Sequence, residues 1–348
     1  LVTAELFARM VLGLGDPPLY QTHATIEYMP QPSRTYTRFG NRISINRYSM
    51  RSPDFEPTKT SDEFRVLVLG DSVPFGGSRV DDTSLATSHL ERLLRDRLKK
   101  NVVVANVSAG SWGPPNMLAY LREFGTFDAD VVVMLLNGDD ASDVPLFAPL
   151  SAEMPTRTPT LALEEVAGRY LPRYLAALTG GDAPLPPAMN ADDVALATQA
   201  VRQMTTMIRE RNAKPVGVLY WRRSEIQGEP RGGLATLRGE FEQLHVPIVE
   251  SREEFRAELD IGAAVFADDI HPTTLGQTLL GNVLLRAVEQ VIDMPPLPGL
   301  PPIEEPESPM KVDPEDLIDG PAESSTDDES EAPVVPGATP GYSGVAGR

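Results

Sequence analysis

The sequence predicts an α/β protein: a three-layer α/β/α sandwich built on a five-stranded, mostly parallel sheet. Three observations carry that prediction. Compact apolar runs rich in β-branched residues recur along the chain, as in strands buried on both faces of a parallel sheet. One-sided helical patterns alternate with them, the rhythm of a sheet covered by helices on both sides. The length, 348 residues, suits one large domain with appendages.

The elements follow in order. Leu1 is not an initiator Met, so the chain reads as a fragment or a processed form. Leu1 to Leu14 is apolar and helical in pattern, but it is too short to span a bilayer and contains Glu5 and Arg9. Two readings compete for residues 1–18: an amphipathic helix packed on the domain, or the juxtamembrane end of an N-terminal membrane anchor closed by the break at Gly15 to Pro18. Residues 19–62 lack a helical period and read as an extended arm with one or two short strands. Wrapping the core is the plain role for that arm; the competing one brings Arg47 and Arg51 to the rim of a site.

The domain itself is expected over residues 63–292. Phe64 to Leu69 is its first buried strand, running into Gly70, Asp71 and Ser72. Ser84 to Lys100 is a helix with Leu85, Leu90, Leu93, Leu94 and Leu98 on one side, and Lys99 and Lys100 at the end where the helix dipole favours cations. Val102 to Val107 is the second strand, Pro115 to Phe124 a helix opened by proline, and Val131 to Leu136 the third strand. Residues 141–191 break the rhythm. This insert is rich in Pro and Ala, with a helical piece around Leu163 to Leu178. Because it follows the third strand, it emerges at the same sheet edge as Ser72, either as a substrate-selecting loop or as a tolerated surface insertion. Then come a helix at Asp192 to Arg211, a strand at Pro215 to Trp221, a helix at Leu234 to Leu244, a short strand at Val246 to Val249, and a closing helix at Pro272 to Val291.

The remaining residues, 293–348, read as a disordered tail. They hold 13 acidic and 2 basic residues, so −11 of the net charge of −19 sits there, and 12 prolines follow Met294.

Composition excludes several classes. Basic residues lie on helices already mixed with acids, so no nucleic-acid partner is expected. The absence of cysteine removes disulfides, thiolate metal sites and cysteine catalysis, and leaves the compartment open. Gly76-Gly77 lacks the lysine of a phosphate loop, and no carboxylate-rich metal cluster is visible, so no metal or cofactor is expected.

Ser72 is the candidate nucleophile, because a hydroxyl just past a glycine at the end of a buried strand stands at the edge where open α/β sheets place ligands. Serine needs a base to take its proton. Of four histidines, His23, His89 and His245 have no acid placed to orient them, whereas Asp268 stands three residues before His271. On a turn, that spacing lets the carboxylate hold one ring nitrogen while the other faces the serine. Trp221-Arg222-Arg223, ending the fourth strand, supplies further candidates at the same edge.

The order of these motifs resembles the SGNH/GDSL hydrolase superfamily of esterases, lipases and acylhydrolases, over roughly Phe64 to Val291. The resemblance implies a flavodoxin-like sheet, Gly70-Asp71-Ser72 as the nucleophile motif, and Asp268-Asp269-Ile270-His271 as its D-x-x-H, with Asp268 the orienting acid and His271 the base. It further implies an oxyanion hole made by the N–H groups of Ser72 and of a glycine after Asn106. An offset of one residue puts Gly110 there; an ungapped reading puts Ser111. The family's later Asn falls on Asp139, an acceptor where a donor is needed. Asn137, two residues back on the same side of an extended strand, is the expected donor. The implied function is hydrolysis of a carboxylic ester, small-molecule or carbohydrate-borne. The alternatives are O-acyl transfer to an exported polysaccharide and a non-catalytic carbohydrate-binding relative. Many exported relatives begin with an anchor, so the resemblance also implies a periplasmic or extracellular protein associated with the membrane through its N-terminus, with a cytoplasmic one still open.

Overall fold

The computed structural model describes residues 1–172, 175 and 189–295. The expected acidic tail therefore lies outside the described residues apart from its first three, as does most of the helical piece of the insert beyond residue 172.

The core is a five-stranded sheet of β5 (Glu63–Gly70), β6 (Asn101–Ser108), β7 (Val131–Asn137), β8 (Lys214–Tyr220) and β9 (Ile248–Glu250), in spatial order β6-β5-β7-β8-β9. All its pairings are parallel. The side chains of Val66 to Leu69 and Val131 to Leu136 are fully buried, so these runs carry no alternating polar face. Each such Val or Leu contributes about 1.5–3 kcal/mol when taken out of water. On one side of the sheet α3 (Ala86–Leu98) packs against α10 (Thr274–Glu289). Another helical layer forms where α4 (Pro114–Phe124) meets α6 (Ala191–Glu210), which in turn meets α8 (Gly232–Gln243). Two short helices missed in the sequence are α7 (Arg223–Gln227) after β8 and α9 (Arg252–Asp260) after β9; only Phe255 of α9 is buried, too little to mark a helical stripe.

Parallel strands put all their carboxyl ends along one edge. The segments leaving β5, β6, β7 and β8 there carry Ser72, Gly110, Asn137 and Arg222. The chain runs from β5 outward to β6, then returns to β7 on the other side of β5. The crevice between β5 and β7 is thus a topological switch point, where doubly wound sheets open to ligands.

Residues 20–45 hold four strands in two antiparallel hairpins: β1 (Tyr20–His23) with β2 (Glu27–Pro30), and β3 (Arg34–Arg38) with β4 (Asn41–Ile45). The second turns through Phe39 and Gly40, both at positive φ (52° and 80°), the two-residue geometry that matches strand twist. Its polar Arg/Thr composition concealed this regularity.

Helix α1 (Val2–Met10) packs on the short helix α5 (Ala162–Glu165) through its charged side. Glu5 accepts the N–H groups of Ala162 (2.8 Å) and Leu163 (3.1 Å), capping α5, while Leu6, Phe7 and Met10 face solvent. Among the described residues no helix is long and apolar enough to cross a membrane.

Candidate active site

After β5 the chain makes a one-turn helix, α2 (Ser72–Phe75), capped at its start by Asp71, whose Oδ1 accepts the Val73 N–H at 2.8 Å. Two glycines permit this turn. A Cβ on Gly70 would come within 2.4 Å of the Pro74 ring, and Gly76 closes the helix at φ 74°.

A four-residue helix leaves its carbonyls without helical partners. Here each carbonyl is taken from a different direction: Ser72 by the Gly76 N–H (3.0 Å), Val73 by Gln277 (2.9 Å), Pro74 by Asn106 (2.7 Å) and Phe75 by Arg51 (2.5 Å). Arg51 is fully buried and also donates to the carbonyls of Gly77 and Val80, both at 2.6 Å, and to Asp82 at 3.1 Å. The arm therefore sends Arg51 beneath the serine turn, whereas Arg47 stays within the arm on Asp54 and Glu56. Burial lowers the Arg51 pKa, opposed by the neighbouring Asp82.

The Ser72 hydroxyl lies 2.9 Å from His271 Nε2, and His271 Nδ1 lies 2.8 Å from Asp268 Oδ2. Asp268 Oδ1 accepts the N–H groups of Ile270 (2.9 Å) and His271 (2.8 Å), so one carboxylate both shapes the loop and faces the imidazole. Burial raises the Asp268 pKa, but the His271 N–H, the His271 ring and the Ile270 N–H together carry it below the ordinary value. Asp269 points elsewhere: it accepts the N–H and hydroxyl of Ser224, each at 2.9 Å, while its carbonyl takes the Arg223 N–H at 2.9 Å. The Tyr220 hydroxyl donates to the Ile270 carbonyl at 2.8 Å. The end of β8 thereby fastens the loop that carries His271.

Gly110 lies beside the serine; a Cβ built on it would stand 4.0 Å from Ser72 Cβ. The Tyr28 hydroxyl donates to the carbonyls of Gly110 (2.7 Å) and Ser111 (3.1 Å), fixing the peptide planes of that turn from the arm. The Gly110 N–H has no acceptor among the described residues.

Asn137 departs from the sequence expectation of an oxyanion donor. Its amide nitrogen donates to Asp71 Oδ2 and Asp140 Oδ2, both at 3.0 Å, which occupies both hydrogens. The backbone N–H of Asn137 also goes to Asp140, at 2.7 Å. The physical reason is that two buried carboxylates flank it, and an unpaired buried carboxylate costs more than a solvent-facing amide gains. Burial raises the pKa of Asp71, and raises that of Asp140 strongly, with the Asp71 charge adding to the effect. Asp143, next along, is pushed up to about 7 by burial and by the charges of Asp71 and Glu27. Asp139 is bound by Arg222 and approached by Arg231 at 3.6 Å.

Ser72 and His271 open onto a cavity of about 290 Å³. Arg169 and Tyr170 from the insert, Arg38 and Phe39 from the arm, and Gly76 to Val80 complete much of its wall. Sequence reasoning missed the roles of Tyr28, Asp140 and Gln277; their signal is contact between distant segments, which no local pattern carries.

No protein-family model matches the chain, and no curated protein does. Solved structures that align with it include an acetylxylan esterase from Geobacillus stearothermophilus, at 14% identity and a TM-score of 0.43 over 65% of this chain and 94% of that one. A member of the lipolytic protein G-D-S-L family from Veillonella parvula aligns at 11% identity and a TM-score of 0.41, covering 66% of this chain and 100% of its own. An alpha/beta hydrolase from the metagenome of Lake Arreo aligns at 13% identity and a TM-score of 0.42, over 66% and 97% of the two chains.

Proposed function

We propose that this chain is a serine hydrolase of carboxylic esters, of the SGNH/GDSL kind its motifs resemble. The observation supporting it is the unbroken hydrogen-bonded line from Asp268 through His271 to Ser72, with 2.8 Å and 2.9 Å contacts, at the switch point of the sheet. In this reading Ser72 Oγ attacks the ester carbonyl as His271 Nε2 takes its proton. Asp268 holds Nδ1 and balances the imidazolium that forms. The tetrahedral oxyanion is met by the N–H groups of Ser72 and Gly110, and His271 returns the proton to the leaving alcohol. Water then repeats the sequence on the acyl-serine. A cavity of about 290 Å³ is at the small end for ligand sites, which favours a short acyl group such as acetyl.

The test is a series of 4-nitrophenyl esters of increasing acyl length with the unmodified protein and Ser72→Ala, together with labelling by a fluorophosphonate. Ser72-dependent turnover and labelling are expected. Equal turnover in both proteins would sink the proposal.

Acyl transfer is the second reading, since the 43% exposure of the His271 side chain lets a sugar hydroxyl as well as water reach the same base. Adding methyl glucoside to the assay separates the two, since transfer yields an acylated glucoside at the expense of free acid.

A further inference from the structure

The cavity beside Ser72 has a one-sided polar chemistry. Arg38, Arg79 and Arg169 line it together with Tyr170, and the lining carboxylate, Asp268, is committed to His271 and its own loop. Arg38 and Arg169 both lean on Glu165, which Arg38 Nη1 reaches at 3.0 Å and Arg169 at 3.7 Å; Arg169 also reaches Glu153 at 3.2 Å. Glu165 accepts the Gly15 N–H as well, at 3.0 Å. One carboxylate thus serves two guanidinium groups and a backbone amide. The Nε atoms of Arg38 and Arg169 are buried without a hydrogen-bond partner. Arg79, exposed at the rim, makes no ion pair or hydrogen bond among the described residues.

Tyr170 completes the pattern. Its hydroxyl oxygen accepts from Arg38 Nη2 at 2.9 Å, so its own proton remains available to a ligand. The cavity lining therefore offers Arg79 and the Tyr170 O–H as donors, while its carboxylate, Asp268, is already engaged. A neutral acyl chain offers these donors no charged partner, whereas a carboxylate can accept from both, and its planar geometry matches the guanidinium fork.

Resting on the ester-hydrolase reading above, we propose that the cavity selects esters carrying a carboxylate near the scissile bond, held by Arg79 and Tyr170. Arg38 is a positioning residue: it orients the Tyr170 hydroxyl and is itself held by Glu165.

The experiment measures binding rather than turnover, in the Ser72→Ala protein, so that it does not depend on catalysis. Calorimetry compares two matched pairs: mono-4-nitrophenyl succinate against 4-nitrophenyl butyrate, with the charge on the acyl side, and acetylated methyl glucuronoside against acetylated methyl glucoside, with the charge on the alcohol side. The charged member of at least one pair should bind about tenfold more tightly, and that preference should shrink as salt is raised from about 0.05 to about 0.5 M. Adding Arg79→Gln, a change at an exposed position, should bring the ratio close to one; Tyr170→Phe should reduce it partly. Equal or tighter binding of the neutral member in both pairs, no detectable binding of either charged ester, or a preference that survives Arg79→Gln would each overturn the proposal. Turnover of neutral 4-nitrophenyl acetate and Ser72 labelling judge the hydrolase reading separately, so either idea can fail while the other stands.

Discussion

At the scale of single residues, the two neighbouring carboxylates of the 268–271 turn have separate tasks. Asp268 faces the imidazole, and Asp269 is bound by Ser224. On the proposed mechanism, replacing Asp268 by Asn would remove the charge that balances the imidazolium and present a donor to Nδ1, so kcat should fall on the order of 100- to 10,000-fold with KM little changed. Asp269→Asn acts only through the loop and should cost far less; steady-state kinetics on one ester distinguishes them. Asn137 is a different case. Because its amide joins Asp71 to Asp140, Asn137→Ala should lower stability by roughly 2–4 kcal/mol, through two lost hydrogen bonds to carboxylates left buried. Urea unfolding measures this. A variant as stable as the parent would show that the amide is dispensable to the fold and return it to consideration as a transition-state donor.

At the scale of elements, the serine turn is held from outside itself. Helix α2 has four residues, too short to be stable alone, and its carbonyls are satisfied by β6, α10 and the arm. Arg51 contributes most of the arm's share, since Phe75, Gly77, Val80 and Asp82 all accept from it. Arg51→Met would keep the apolar stem but leave those carbonyls and Asp82 without their partner, at a cost of about 3–5 kcal/mol. The variant should unfold at lower urea concentration, and its residual activity should fall by more than the loss of folded protein accounts for. Arg47→Met, which alters only contacts within the arm, is the matched control.

At the scale of the whole molecule, the carboxylates under the site impose a pH dependence on stability. Asp143 keeps its proton in the folded protein up to about 7 against an ordinary 3.8, and Asp71 and Asp140 are shifted in the same direction. Between those limits the folded state holds at Asp143 a proton that the unfolded chain releases, so the contribution of Asp143 to stability falls as pH rises from about 4 to about 7, then levels off, and Asp71 and Asp140 act with the same sign. Asp268 has the opposite sign: its contribution is present above 3.8 and is lost as pH falls through its lowered value. Urea midpoints recorded from pH 4 to 8 should therefore decline up to about pH 7, and Asp143→Asn should flatten the decline. A midpoint that rises with pH in the parent would contradict this assignment. The strand–helix order, the buried central strands, and the residues Ser72, Asp268 and His271 were legible in the sequence, because apolar periodicity and short motif spacing are local properties of a chain. The direction of the Asn137 amide, the burial of Arg51 beneath the serine, the Tyr28 contact with Gly110 and the arginine-lined cavity were decided only by tertiary structure. Each depends on groups from segments far apart in sequence meeting at one sheet edge, where the need to pair buried charges and carbonyls, rather than any local pattern, sets which way a side chain turns.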